Sequence, residues 1–199
     1  STDDAHALTQ IPTVSNVTYT VGATDLVVNF NLKVDGVNAT NFTVLNGDYR
    51  LSGTTRSDAG TSVLSGGTNG NYTITVQGGA AAAVNSRYMF RVQNMTANTP
   101  ERVRAIVVAD VGAAYTDLVS DQSCANCHGA DISSHYGYQA GAKQCTVCHS
   151  SSALDADAQF VQIIHGVHNS HNTGSGHYAF AEDEMFSVTY PTYQANRSV

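Results

Sequence analysis

Tryptophan is absent from the 199 residues, charged side chains make up only 13 %, and no apolar run is long enough to span a bilayer as a helix. Positive charge is the scarcer sign, with nine Lys and Arg against sixteen Asp and Glu. The resulting net charge of −7 does not suit a protein that grips nucleic acid, whose affinity comes from neutralising phosphates. Only four cysteines and three prolines occur. The chain opens Ser-Thr-Asp-Asp, with neither a basic start nor an apolar segment behind it, which reads as a mature N-terminus after removal of an export signal.

What remains is rich in Thr, Ser, Asn and Gly, and it divides into two halves of different character. Residues 1–112 carry eight acidic and seven basic side chains, a net of −1; residues 113–199 carry eight and two, a net of −6. Such an acidic surface favours cationic partners or positively charged mineral surfaces over anionic membranes.

The first half has strand grammar. Asn16–Thr20, Asp25–Val34, Asn41–Leu45, Tyr49–Ser52, Asn71–Gln77, Arg87–Gln93 and Arg102–Ala109 are rich in Val, Ile, Phe, Tyr and Thr. Val28, Phe30 and Leu32 alternate with Asn29, Asn31 and Lys33, and Tyr72, Ile74, Val76 and Tyr88, Phe90, Val92 repeat the period of two. Asn46-Gly47, Gly66-Gly67, Asn69-Gly70 and Gly78-Gly79 read as the turns between them. Seven short strands of this kind predict a Greek-key or immunoglobulin-like sandwich over residues 1–115. With no catalytic triad, metal cluster or phosphate loop, this half reads as a structural or docking module.

All four cysteines lie in the second half, in Cys124-Ala-Asn-Cys127-His128 and Cys145-Thr-Val-Cys148-His149. C-x-x-C-H is the attachment signature of c-type haem: two thiols form thioethers to one porphyrin, and the adjacent imidazole reaches the iron. Two C-x-x-C pairs 17 residues apart also fit a four-cysteine zinc site. The histidine after each pair separates the two readings, because composition alone puts it after both with a probability of roughly 0.2 %. A closed zinc site needs no such histidine. Five more, His135, His165, His168, His171 and His177, crowd the same region. Residues 116–199 therefore read as a small, loop-rich, partly helical dihaem c-type cytochrome domain. The stretch from Cys124 to Ser151 looks turn-rich, and Ala156, Phe160, Ile163, Ile164 and Val167 place a helix over Asp155–Asn169. So few large aliphatics cannot build an ordinary core, and two porphyrins would supply apolar surface.

His128 and His149 are the proximal ligands. His135, His165 and His168 are candidates for the distal side, with His171, His177 and His6 behind them. His135 follows His128 by seven residues, too close to swing round its own porphyrin, and is better placed for the second haem. Bis-histidine ligation closes both irons, so the chemistry becomes electron transfer and not catalysis. The alternatives are a dihaem peroxidase or reductase with one open iron, and a β-sandwich binding module with a zinc-stabilised appendage. Because haem attachment takes place outside the cytoplasmic membrane, the expected location is extracellular or cell-surface, or the periplasm.

From Val119 onward the chain resembles the MtrC/OmcA-type outer-surface multihaem cytochromes. The resemblance rests on the two C-x-x-C-H motifs, on His135 between them, on Ile164-His165-Gly166-Val167-His168, and on Tyr190-Pro191. It implies bis-histidine haems and extracellular electron transfer to metal oxides, soluble shuttles such as flavins, or partner cytochromes. Where the family begins a third attachment motif, this sequence reads Arg197-Ser198-Val199 and stops, so a shortened, dihaem relative is expected. Two haems leave histidines to spare. A spare one serving a haem of a neighbouring copy would build a haem-bearing filament.

Overall fold

The structure is a computed structural model that describes residues 10–97, 99, 101–112, 117, 119–128, 141–150, 159–161 and 164, with the backbone only for Ala125, Cys127 and His128. Nine strands are present among these residues: β1 (Pro12–Val21), β2 (Leu26–Val34), β3 (Val37–Asn38), β4 (Val44–Ser52), β5 (Thr55–Asp58), β6 (Thr61–Thr68), β7 (Asn71–Gln77), β8 (Ser86–Gln93) and β9 (Arg104–Val111). Two short helices follow, α1 (Asp121–His128) and α2 (Ala142–Cys148). No helix among the described residues is long and apolar enough to cross a membrane.

The strands form two antiparallel sheets. One runs β1-β2-β7-β6, with β3 pairing along β2; the other runs β5-β4-β8-β9. Hairpins β1–β2, β4–β5, β6–β7 and β8–β9 alternate between the sheets, and the pairings of β2 with β7 and of β4 with β8 join strands distant in sequence. The expected sandwich is what the chain builds. Leu26, Val28, Phe30 and Leu32 of β2, Tyr72, Ile74 and Val76 of β7, Tyr88, Phe90 and Val92 of β8, and Ala105, Val107 and Ala109 of β9 fill the space between the sheets. Each large side chain buried there contributes about 1.5–3 kcal/mol. Tyr72 sits in this core without loss because its hydroxyl accepts from the Phe42 amide at 3.1 Å and donates to the Ala39 carbonyl at 3.2 Å.

The turns sort the glycine dipeptides into two kinds. Asn69 and Gly70, with φ of 52° and 76°, make the tight β6–β7 turn, as expected of Asn-Gly. Asn46-Gly47 is not a turn. It is a bulge inside one continuous β4, so the expected strands Asn41–Leu45 and Tyr49–Ser52 are largely a single strand. A β-carbon at Gly47 would lie 2.7 Å from Nε of Arg91, whose side chain crosses the bulge. Gly66-Gly67 is likewise a bulge, within β6, a strand the sequence pattern missed along with β5.

Among the described residues of the stretch expected to be turn-rich, Cys124–His128 lies within α1, and Cys145–Cys148 within α2, with His149 as its C-cap. Of the expected helix Asp155–Asn169, Phe160, Val161 and Ile164 are described and helical; the rest lies outside the described residues.

Candidate functional site

The attachment motifs are set side by side by helix capping. Ser120 opens α1: its hydroxyl and its carbonyl both accept from the Ser123 amide, at 3.2 and 3.0 Å. α2 lacks a capping side chain of its own at Gly141, and α1 supplies one. Asp121 Oδ1 accepts from the Ala142 amide at 2.6 Å, a carboxylate placed at a helix start. Gly141 is required for this approach, because a β-carbon there would lie 2.7–2.9 Å from the Asp121 carboxylate. One hydrogen bond thus links the first motif's helix to the second's. α2 ends at His149, whose amide donates to the Cys145 carbonyl at 2.8 Å and whose carbonyl accepts from Phe160 at 2.9 Å.

Cys145 and Cys148 are one helical turn apart, which puts both thiols on neighbouring positions of one face. Burial pushes the Cys145 thiol up to about 11, and negative charge at Cys124, Cys148 and Asp121 adds to the effect. Cys124, from the first motif, is therefore close enough for its charge to reach Cys145. The Cys148 thiol is also raised by burial, while the charges of Arg56 and Arg91 and a hydrogen bond from Arg56 pull the other way.

Those arginines belong to the sandwich. α2 lies on the outer face of the β5-β4-β8-β9 sheet, where Val147, fully buried, packs with Leu51 of β4 and Met89 of β8. Tyr49, Ile106, Val108 and Cys148 border this contact. The second half thus borrows apolar surface from the sandwich, an arrangement the composition argument did not anticipate. The same face carries Arg56 on β5, with Arg87 and Arg91 on β8. Arg87, 1 % exposed, gives two hydrogen bonds to Asp110, at 2.6 and 2.9 Å, and a third to Asp117 at 2.6 Å. Burial alone lowers its pKa, but the bonds and charges of the two aspartates outweigh that and the net shift is upward. Asp117 also faces Lys143 of α2 at 3.8 Å, so one carboxylate ties the sandwich to the second motif. Arg56 and Arg91 both lie over the Tyr49 ring, 5.4 and 5.0 Å from its centroid, and Arg91 donates to the Tyr49 hydroxyl.

Of the residues singled out from sequence, the structure brings together Cys124, Cys145, Cys148 and His149. Cys127 and His128 lie on α1, and their side chains are outside the description. His6, His135, His165, His168, His171 and His177 lie outside the described residues. Sequence reasoning missed Tyr49, Arg56, Arg91 and the Arg87–Asp117 link. A signal was present: Arg87, Met89 and Arg91 alternate with the core-facing Tyr88, Phe90 and Val92, and the middle of β9, Ile106-Val107-Val108, is apolar on both faces. A strand with two apolar faces is covered on both sides.

Residues 116–197 match the family described as outer membrane cytochrome MtrC/MtrF-like, domains II/IV. This part of the chain is similar to that family. The MtrC/MtrF-like segment thus includes both C-x-x-C-H motifs and five of the six histidines that lie outside them. Among solved structures, MtrC from Shewanella baltica OS185 has 18 % identity and a TM-score of 0.46 over 80 % of this chain and 33 % of its own. The outer membrane decaheme cytochrome OmcA has the same identity and TM-score over 84 % of this chain and 34 % of its own. The chain spans about a third of the length of these structures. No curated protein matches the sequence.

The residues of the MtrC/MtrF-like segment fit a thioether-linked haem. Cys145 and Cys148, one turn apart on α2, occupy neighbouring positions of one helix face, as two thioethers to a single porphyrin require. Gln144 Oε1 and Ser150 Oγ, which flank the second motif, are buried with no hydrogen-bond partner among the described residues.

Proposed function

We propose that the chain is an extracellular electron-transfer protein holding two c-type haems, one through Cys124 and Cys127 and the other through Cys145 and Cys148. The observation that carries this reading is the placing of both C-x-x-C-H motifs on adjacent helices, within a segment similar to the MtrC/MtrF-like family. The bound group supplies a one-electron change at iron. The protein's own residues do the rest. His128 and His149 would ligate one iron each, and two of His135, His165 and His168 would supply the remaining ligands, which would leave neither iron open. Asp121 holds α2 against α1 and brings the two centres near each other, while Val147, Leu51 and Met89 keep water from one side of the second.

In this reading residues 1–115 form a docking and shielding module and residues 116–199 the haem-bearing one. The end of β9 at Val111 and the start of the family match at residue 116 support that division. Partners are other cytochromes or copies of this chain, and the terminal acceptors are metal oxides or soluble shuttles outside the cell. His171, His177, His6 and whichever of His135, His165 and His168 is left over are surplus to two irons and would serve a neighbouring copy if the chain assembles into a filament.

The absorption spectrum of the exported protein tests this reading. Dithionite is expected to sharpen the visible bands of a low-spin c-type haem, with no change on adding CO or peroxide. CO binding would indicate an open iron and an enzyme; a colourless protein would indicate zinc.

A further inference from the structure

On the outer face of the β5-β4-β8-β9 sheet, Arg87, Arg56 and Arg91 sit in different electrostatic settings. Arg87 is matched by Asp110 and Asp117. Arg56 and Arg91 are held over the Tyr49 ring, and Tyr49 and Cys148 border the same contact of Val147 with Leu51 and Met89. The bulge at Gly47 fixes one of them, since its missing β-carbon leaves the space through which the Arg91 side chain passes. These charges are built in. They lie on strands, are partly buried, and are stacked on a ring that is itself half-buried.

A fixed positive charge favours whichever redox state carries less positive charge. Reducing ferric to ferrous iron adds one electron and no proton, so a nearby guanidinium stabilises the ferrous form. We propose that Arg56 and Arg91, positioned by Tyr49 and Gly47, set the haem attached at Cys145 and Cys148 to a higher reduction potential than the haem attached at Cys124 and Cys127. The inference rests on the dihaem reading of the preceding section. With both haems bound, the charges of Arg56 and Arg91 would favour passage of one electron from the group held at Cys124 and Cys127 to the group held at Cys145 and Cys148. The sandwich is then a tuning device that gives the pair a direction as well as a shield. Arg56 and Arg91 are positioning residues for charge and do not ligate.

The test is a spectroelectrochemical titration of the full-length haem-loaded protein. It compares the native chain with Arg56→Gln/Arg91→Gln, Arg56→Lys/Arg91→Lys and Lys33→Gln. Lys33 lies exposed on β2 of the opposite sheet and serves as a control for net charge. The native protein is expected to show two one-electron waves. Each lost arginine should lower the upper wave by on the order of tenfold in the reduction equilibrium, ~59 mV for a one-electron couple. The lysine pair should keep most of the native value, and Lys33→Gln should leave both waves in place. If the double Gln variant does not fold, the single Arg56→Gln change on the edge strand β5 carries the same expectation at half the size. Unmoved waves in a protein with both haems bound would overturn the inference and leave the dihaem reading intact. Equal shifts in the Gln and Lys variants would also overturn it, because packing and not charge would then be responsible. A protein without haem would overturn both.

Discussion

Val147 is the residue through which the second attachment motif meets the sandwich, and truncating it measures how firmly the two are joined. It lies between Cys145 and Cys148 on α2, is fully buried, and packs on Leu51 and Met89. Val147→Ala removes two methylene equivalents, each worth about 0.5–1.5 kcal/mol in a core that does not fully collapse, so a loss of about 1–3 kcal/mol is expected. Met89→Ala removes more and should cost about 2–5 kcal/mol. Because the side chains touch, the double variant should lose less than the sum of the singles, by about 0.5–3 kcal/mol. Urea unfolding of the haem-loaded protein, followed by tyrosine fluorescence and by the haem band, gives all three values. Agreement of the double variant with the sum to within about 0.5 kcal/mol would refute the docking of α2 on this sheet. Coincident fluorescence and haem transitions are expected as well, since a docked helix unfolds with its support.

Three further outcomes follow from the same geometry. Asp110→Ala should destabilise the protein by about 3 kcal/mol, because it leaves the Arg87 guanidinium buried with half its partners; Arg87→Met should cost less, since Asp110 and Asp117 are each about a fifth exposed and can turn to water, and the comparison of the two melting temperatures checks the order. In chain made without haem, Cys145 should be the slowest described cysteine to react with iodoacetamide at pH 8; its folded pKa lies above the unfolded value, so the stability it contributes is full below about pH 8.5 and is lost as pH rises through about 11, which a pH series of urea midpoints would show. Gly66→Ala should cost about 2–3 kcal/mol because φ is +104° and a β-carbon would meet the Asn71 carbonyl at 2.5 Å, whereas Gly53→Ala, with open space around it, should cost about 1 kcal/mol, and paired thermal melts would separate them.

The sandwich was legible where alternation is strict. β2, β7 and β8 declare their inward faces because every second residue is large and apolar, and that face became the core. β6 escaped notice because Ser65, Gly66 and Gly67 look like a turn when read alone; only their pairing with β7 makes them a bulged strand. Asn46-Gly47 misled for the same reason, since the side chain that needs the glycine, Arg91, comes 44 residues later. The helices under the motifs were hidden too. Asp121–His128 offers no apolar stripe, and α2 buries only Ala142 and Val147, so neither has the periodicity that marks a helix. At the site, spacing offers the thiols and the adjacent histidines as candidates because attachment chemistry is local. Tyr49, Arg56 and Arg91 were not legible as site residues because they come from strands far away in sequence and meet Cys148 only when α2 docks.

The central claim is that both C-x-x-C-H motifs carry covalently bound haem, and the intact mass of the exported protein under denaturing conditions tests it most directly. The account predicts the polypeptide mass plus two haems, falling to one haem in Cys124→Ala/Cys127→Ala and likewise in Cys145→Ala/Cys148→Ala. The bare polypeptide mass, with both thiol pairs free to alkylate, would contradict it.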